Sequence, residues 1–321
     1  MATVNIAFEP ESKDSPAIAV VSGGEYDGEK IYLNQSETQP VKGGKRKSLS
    51  FAKAKMDKMK ARDKTQMMYK LQEAYRKGIP PEHLQLEGDG VKEMYGEMIE
   101  ETNNDKTIEL PPDSTFQLLP SSKPTKREVW YIAGASGSGK SYIAKGLAEK
   151  YHKLFPQRPI YLVSKLAEDD TLDNMKGYKL IRLNLEKIAE NPMKDLEDLR
   201  DCMIIFDDYD TFTKPLDKVV QKLMDDIATM GRHTNTTMLC LTHYLSNYAK
   251  TRLLLCEATH FVLYPQSTGT HALTYLLKTH LGLDTDEIAA LRKMKTRWIC
   301  IHKNYPIYII TEHSAKLMTF G

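Results

Sequence analysis

An α/β fold with a mainly parallel sheet and helices on both faces is what this 321-residue sequence predicts, and three observations carry the prediction. From Glu128 onward, short apolar runs of strand length alternate with segments of helical period, the pattern that lays parallel strands under covering helices. The first of these runs, Glu128–Ala133, leads straight into Gly134-Ala135-Ser136-Gly137-Ser138-Gly139-Lys140-Ser141, a G-x(4)-G-K-S stretch followed by a helical pattern. A later run, Cys202–Phe206, ends in the paired carboxylates Asp207 and Asp208. In a sheet of this kind ligands gather at the carboxyl ends of the strands, where both motifs fall.

Taken in order, Ala17–Leu33 reads as two short strands around Gly- and Asp-containing turns, a small accessory element. Its Ser22-Gly23-Gly24-Glu25 resembles a transporter-ATPase signature only superficially, because it precedes the phosphate loop instead of following it. Between Lys42 and Lys77 about a dozen Lys and Arg face only Asp57, Asp63 and Glu73, a bias that fits a solvated helix face, a nuclear-import address or a contact surface for a phosphate backbone. The spacing predicts a helix over Phe51–Arg76 with Met67, Leu71, Ala74 and Tyr75 on one face, stopped by Gly78-Ile79-Pro80-Pro81. A second amphipathic helix places Val91, Met94, Tyr95, Met98 and Ile99 together, and the proline-bearing stretch Glu101–Lys126 connects to the core. The boundary falls at residue 110, with a basic, partly helical N-terminal extension before it and the catalytic domain, 111–321, after it.

Within the core, Ile143, Leu147, Ala148 and Tyr151 make one face of the helix after the phosphate loop. Pro159–Ser164, Tyr178–Leu183, Thr236–Thr242 and Thr259–Tyr264 are further strands, Pro215–Met230 is a long helix, and Trp298–His302 with Pro306–Ile310 extend the sheet. Cys202, Cys240, Cys256 and Cys300 lack metal-binding spacing and fit buried thiols in a reducing compartment. A net charge of +2, no signal-peptide pattern and no membrane-length apolar run point to a soluble intracellular chain.

The chemistry follows from the residue types. Glycines let backbone N–H groups turn toward an anion, and the next helix aims its positive end at the same place. Lys140 would reach the β- and γ-phosphates of a nucleotide and the Ser141 hydroxyl would ligate Mg²⁺. Asp207 would share that metal, and Asp208 would orient or deprotonate the attacking water. His243, closing the strand Thr237–Thr242, stands where a γ-phosphate sensor would. Arg232 and Arg252, on connections flanking that strand, could each reach a neighbouring subunit's γ-phosphate, with Arg297 as a third candidate. Guanine-reading N/T-K-x-D and D-x-x-G elements are missing, and the arginines after Asp208 are too scattered for the lid of a small-molecule or nucleoside kinase. Such a kinase, and a DNA-binding scaffold with a regulatory nucleotide site, are the alternatives.

Three blocks together, Y-I-A-G-A-S-G-S-G-K-S, M-I-I-F-D-D and G-R-H-T-N-T-T-M-L-C-L-T-H-Y, make the chain resemble the genome-packaging ATPases of large double-stranded DNA viruses, in the FtsK–HerA group of motors. The resemblance runs from about Phe116 to the C-terminus, with His243 where many relatives carry Gln. It implies a RecA-like P-loop core, ATP and Mg²⁺ as cofactors, and a ring-shaped homo-oligomer with ATP sites at subunit boundaries. It also implies double-stranded DNA and capsid or vertex proteins as partners. The expected setting is the host cytoplasm, a viral factory or the virion.

Overall fold

In this computed structural model the described residues are 3–36, 106–190 and 196–318, with positions 66–67, 70–71, 73–74, 79–86, 91–92, 95–96 and 98–99 between them. The basic segment from Lys42 and most of the helix expected over Phe51–Arg76 lie outside these residues. Met67, Leu71 and Ala74 are described, and they gather with Leu84, Val91 and Tyr95 in a small apolar cluster. The Tyr95 hydroxyl donates to the Ile79 carbonyl at 2.7 Å, tying this cluster to the segment expected to stop the first helix.

The larger sheet has ten strands. Its parallel part comprises β6 (Val129–Ala133), β7 (Ile160–Val163), β8 (Ile181–Arg182), β9 (Met203–Phe206), β10 (Thr237–Thr242) and β11 (His260–Leu263). They run in the order β11-β6-β10-β9-β7-β8, so β10 lies between the strand that feeds the phosphate loop and the strand that ends in Asp207-Asp208. This interposed strand is the arrangement of a RecA-like P-loop core. Every residue of β6, β9, β10 and β11 is buried, as strands covered on both faces must be, which is why each reads as a continuous apolar run.

Beyond β11 the sheet turns antiparallel through β12 (Ile299–His302), β13 (Tyr308–Thr311), β14 (Ser314–Leu317) and β4 (Thr107–Glu109). The C-terminal extension is therefore four strands wide, where the sequence suggested two. Ser314–Leu317 and Thr107–Glu109 are short and lack a long apolar run, so only their pairing reveals them.

A second, four-stranded antiparallel sheet has the order β1-β3-β2-β5, from β1 (Thr3–Ala7), β2 (Ala17–Ser22), β3 (Lys30–Ser36) and β5 (Thr115–Leu118). The strands on either side of residue 110 thus go opposite ways: β4 joins the large sheet and β5 completes the small one. The small sheet is also not a detached accessory. Ile6, Ile18, Val21, Ile31 and Phe116 share one core with Trp130 and Ile132 of β6 and with Ala144, Leu147 and Tyr151 of α1 (Lys140–Leu154).

The opposite face of the large sheet carries α2 (Leu185–Glu190), α3 (Leu216–Met230), α4 (Tyr248–Glu257), α5 (Thr270–Leu281) and α6 (Thr285–Lys293). Alternation along β6 splits the two cores, with Val129, Tyr131 and Ala133 facing these helices and Trp130 and Ile132 facing α1. Two helices that the apolar spacing left unassigned, α5 and α6, are fixed by local chemistry. Gly282 takes φ +71° after α5, and Asp284 with Glu287 forms a reciprocal capping box at the start of α6, at 2.8 and 2.9 Å. Arg127 performs a similar service for α3, its guanidinium donating to the terminal carbonyls of Ile227 and Ala228 at 2.8 and 2.9 Å.

Candidate active site

At the carboxyl end of β6 the chain leaves the sheet through Gly134, whose N–H donates to the Thr242 carbonyl of β10 at 3.1 Å. A side chain at Gly134 would meet Tyr264 at 2.5 Å and the Ser138 hydroxyl at 2.8 Å, so only glycine fits. Gly137 and Gly139 take φ of +74° and +109°, turns that a residue with Cβ rarely adopts, and Gly139 precedes the first residue of α1. The result is a glycine-turned loop at a helix N-terminus, the setting in which backbone amides can face an anion. The Ser138 hydroxyl is buried there without a hydrogen-bond partner.

Lys140 is almost fully buried, and its ammonium donates to the carbonyls of Gly134 and Ala135 at 3.1 and 3.4 Å. It also stands 3.6 Å from Asp208 Oδ1. The two motifs, on strands separated by β10, therefore converge as the sequence suggested. Tyr142 follows on the exposed side of α1, and Ser141 is half-buried at the helix start.

Asp207 and Asp208 occupy different environments. Asp207 is 4 % exposed, accepts from the Ser164 hydroxyl at 3.1 Å, and its backbone N–H donates to the Val163 carbonyl of β7 at 2.8 Å. Burial, reinforced by the neighbouring Asp208 charge, pushes the Asp207 carboxyl up to about 6. Asp208 adopts a left-handed φ of +44°, which swings it toward Lys140 and folds Tyr209–Thr211 into a 3-10 turn. That turn brings Asp210 back onto the end of β10, where its carboxylate meets Thr242 and His243.

His243 lies 3.6 Å (Nε2) from Asp208 Oδ2 and 3.5 Å (Nδ1) from Asp210 Oδ1. The segment around it is held firmly: Tyr131 in β6 donates to the Tyr244 carbonyl at 2.8 Å, and the Tyr244 N–H donates to the Thr242 hydroxyl at 3.1 Å.

The candidate arginines separate by position. Arg232 is exposed in the turn that enters β10, at the amino end of the sheet and so away from this chain's own phosphate loop. Arg252 is exposed at the start of the second turn of α4, which leaves the carboxyl end of β10. Arg297 reaches the phosphate loop within its own chain, donating to the Ser138 carbonyl at 3.2 Å. Asp210, Ser164 and Thr242 are site neighbours that sequence reasoning passed over. The D-D-x-D spacing was the visible trace of Asp210, while Ser164 and Thr242 show only once strands β7, β9 and β10 lie side by side.

The donor set fits a nucleotide with a hard divalent cation: a glycine-turned loop at a helix N-terminus, an ammonium, one hydroxyl and one buried carboxylate whose raised pKa a cation would bring down. Asp208, Asp210 and His243 also offer ligand atoms within 4.8 Å of one another, but Lys140 already faces Asp208 with a positive charge.

No family model matches the chain. Among solved structures, it is similar at low overall agreement to the genome packaging NTPase B204 from Sulfolobus turreted icosahedral virus 2 in complex with ATP-gammaS, at 11% identity and a TM-score of 0.39, covering 57% of this chain and 96% of that one. Similar values hold for the cytoplasmic domain of the Thermomonospora curvata Type VII secretion ATPase EccC, at 14% identity and a TM-score of 0.39, covering 60% of this chain and 26% of that one. The pCW3 conjugation coupling protein TcpA shows 10% identity and a TM-score of 0.38, covering 67% and 66%. In sequence, the chain is 34% identical over 222 residues to the uncharacterized protein V3 of Sputnik virophage, covering 68% of this chain and 88% of that protein. At that identity and coverage, the chain belongs to one protein family with protein V3 of Sputnik virophage.

Proposed function

We propose that the protein is an ATP hydrolase of the FtsK–HerA type that drives double-stranded DNA, working as a ring that packages a viral genome into its capsid. One observation supports the hydrolase reading above all: Lys140 of the phosphate loop and Asp208 of the paired carboxylates meet at 3.6 Å across an interposed strand whose end presents His243. The DNA, ring and capsid parts rest on the sequence resemblance and on the basic Lys42–Lys77 segment.

In this mechanism the Gly134–Ser141 loop cradles the phosphates with those of its amides that are not bound to backbone carbonyls. Lys140 exchanges its loop carbonyls for β- and γ-phosphate oxygens. Ser141 and Asp207 would hold Mg²⁺, which supplies charge neutralisation at the transferred phosphoryl group. Asp208 orients the attacking water and accepts its proton. His243 registers whether a γ-phosphate is present and passes that state along β10. Arg252, near the carboxyl ends of the strands, or Arg232, on the far end of the sheet, completes the site of an adjoining subunit. Arg297 steadies the loop from within the chain.

The test is ATP turnover with and without duplex DNA for the native chain, Lys140→Ala and Asp208→Asn. DNA-stimulated hydrolysis that both substitutions abolish is the expected result. Turnover indifferent to DNA, or phosphate handed to a nucleoside, would overturn the motor reading.

A further inference from the structure

Asp210 is the most enclosed carboxylate near the site that the mechanism above leaves without a task. Its side chain is 4 % exposed. One oxygen, Oδ2, accepts from the Thr242 hydroxyl at 3.1 Å and from the His243 N–H at 3.0 Å, which ties the 3-10 turn to the end of β10. The other, Oδ1, is buried without a hydrogen-bond partner and lies 3.5 Å from His243 Nδ1. A buried carboxylate oxygen left without a donor is costly, and the ring nitrogen is the donor that faces it. Closing the gap to a full hydrogen bond takes a movement of roughly 0.5 Å.

From this geometry we infer that Asp210 is a positioning residue: it holds the proton of His243 on Nδ1 and fixes the plane of the ring. The ring's second nitrogen, Nε2, is then left as an acceptor 3.6 Å from Asp208 Oδ2, on the side where Lys140 stands, placed to receive a hydrogen bond once Asp208 has taken up the proton of the attacking water. A carboxylate that sets the tautomer of a working imidazole acts through orientation and does not itself exchange the proton. Asp208, His243 and Asp210 thus form a single line from the water-activating carboxylate to the strand end that reports on the γ-phosphate. The D-D-x-D spacing is what allows it, because the left-handed turn at Asp208 sends the first two carboxylates to the phosphates and the fourth residue back under the histidine.

This role rests on the hydrolase reading, so the test separates the two. In the full chain, Asp210→Ala should lower kcat about 10- to 100-fold while leaving the dissociation constant of a fluorescent ATP analogue within about two-fold. Asp210→Asn, which keeps an acceptor toward Nδ1, should recover most of the loss. Asp210→Ala combined with His243→Ala should be no slower than His243→Ala alone. Nitrogen-15 NMR of the His243 ring should show Nδ1 protonated in the native chain and in Asp210→Asn, with that preference lost in Asp210→Ala. Parallel loss of turnover, nucleotide affinity and melting temperature in both Asp210 variants, with effects that multiply with His243→Ala, would reduce Asp210 to a structural tie and overturn the inference. If the native chain hydrolyses no nucleotide, the hydrolase reading falls, and the ring spectrum alone decides whether Asp210 sets the tautomer.

Discussion

At Asp207 a carboxylate is held out of water next to a second carboxylate, and that placement has a measurable sign. Its folded-state value of about 6 lies above the ordinary 3.8, so the folded chain binds this proton more tightly than the unfolded chain does. The penalty for burying the ionised group is fully present above pH 6 and disappears as the pH falls toward 4. Two units of displacement correspond to about 3 kcal/mol. In magnesium-free buffer, Asp207→Asn should therefore melt higher than the native chain at pH 8, with the gain shrinking steadily to nothing near pH 4. Thermal melts across that range check it. On the proposed mechanism Lys140→Ala should reduce ATP turnover at least about 100-fold, since that mechanism assigns the Lys140 charge to the transferred phosphate. Single-turnover assays read that loss directly. The residues with a motif were legible in the sequence, and Asp207, Asp208 and Lys140 needed only their spacing. Ser164 and Arg297 were not, because each acquires its role from a strand or loop distant along the chain: Ser164 contacts Asp207 across the β7–β9 pair, and Arg297 contacts Ser138 from the approach to β12.

Among elements, the clearest contrast is between strands buried on both faces and strands defined by pairing. β6 and β9 are apolar throughout and β10 and β11 are apolar apart from terminal Thr and His residues, so their extent along the chain could be read in advance. β1, β4, β5 and β14 sit at or near sheet edges and mix polar with apolar residues, which gives periodicity little to detect. Where the parallel strands meet the antiparallel ones, an enclosed aromatic row forms. The Trp130 ring stacks on His260 at 3.9 Å, His302 stacks on Tyr308 at 4.7 Å, and His302 Nδ1–H donates to the Pro306 carbonyl at 3.2 Å. Burial holds His302 down at about 4, so the unfolded chain takes up a proton here before the folded chain does. Stability from this group is whole above pH 6.5 and drains away as the pH falls to 4, by about 3 kcal/mol. Buried Glu128, shifted upward, works in the opposite direction, so native-minus-variant comparison is needed to isolate the histidine. His302→Phe keeps the stacking and should unfold at a lower pH than the native chain, measured by circular dichroism during acid titration.

For the whole molecule, the parallel α/β core was legible in the sequence, whereas its edge was drawn too simply. A cut at residue 110 separates β4 from β5, yet β4 belongs to the large sheet and β5 to the small one. Apolar periodicity could not show this, because hydrogen-bond partners for such short strands are chosen by the assembled sheets. Among the described residues no helix is long and apolar enough to cross a membrane. Deleting residues 42–77 removes about a dozen basic side chains and should weaken duplex DNA binding and flatten its salt dependence while leaving nucleotide affinity intact. Titrations at several salt concentrations check it, and an unchanged slope would assign the segment to another partner.

The crossing of strands at residue 110 carries one consequence for engineering. Because β1–β3 and the phosphate-loop helix bury a common apolar interior, the chain cannot be trimmed to its large sheet without uncovering the rear of that helix. A break in the covalent chain between β3 and β4 is another matter: the two pieces would stay stitched by the β2–β5 ladder, and the cradle would keep its footing.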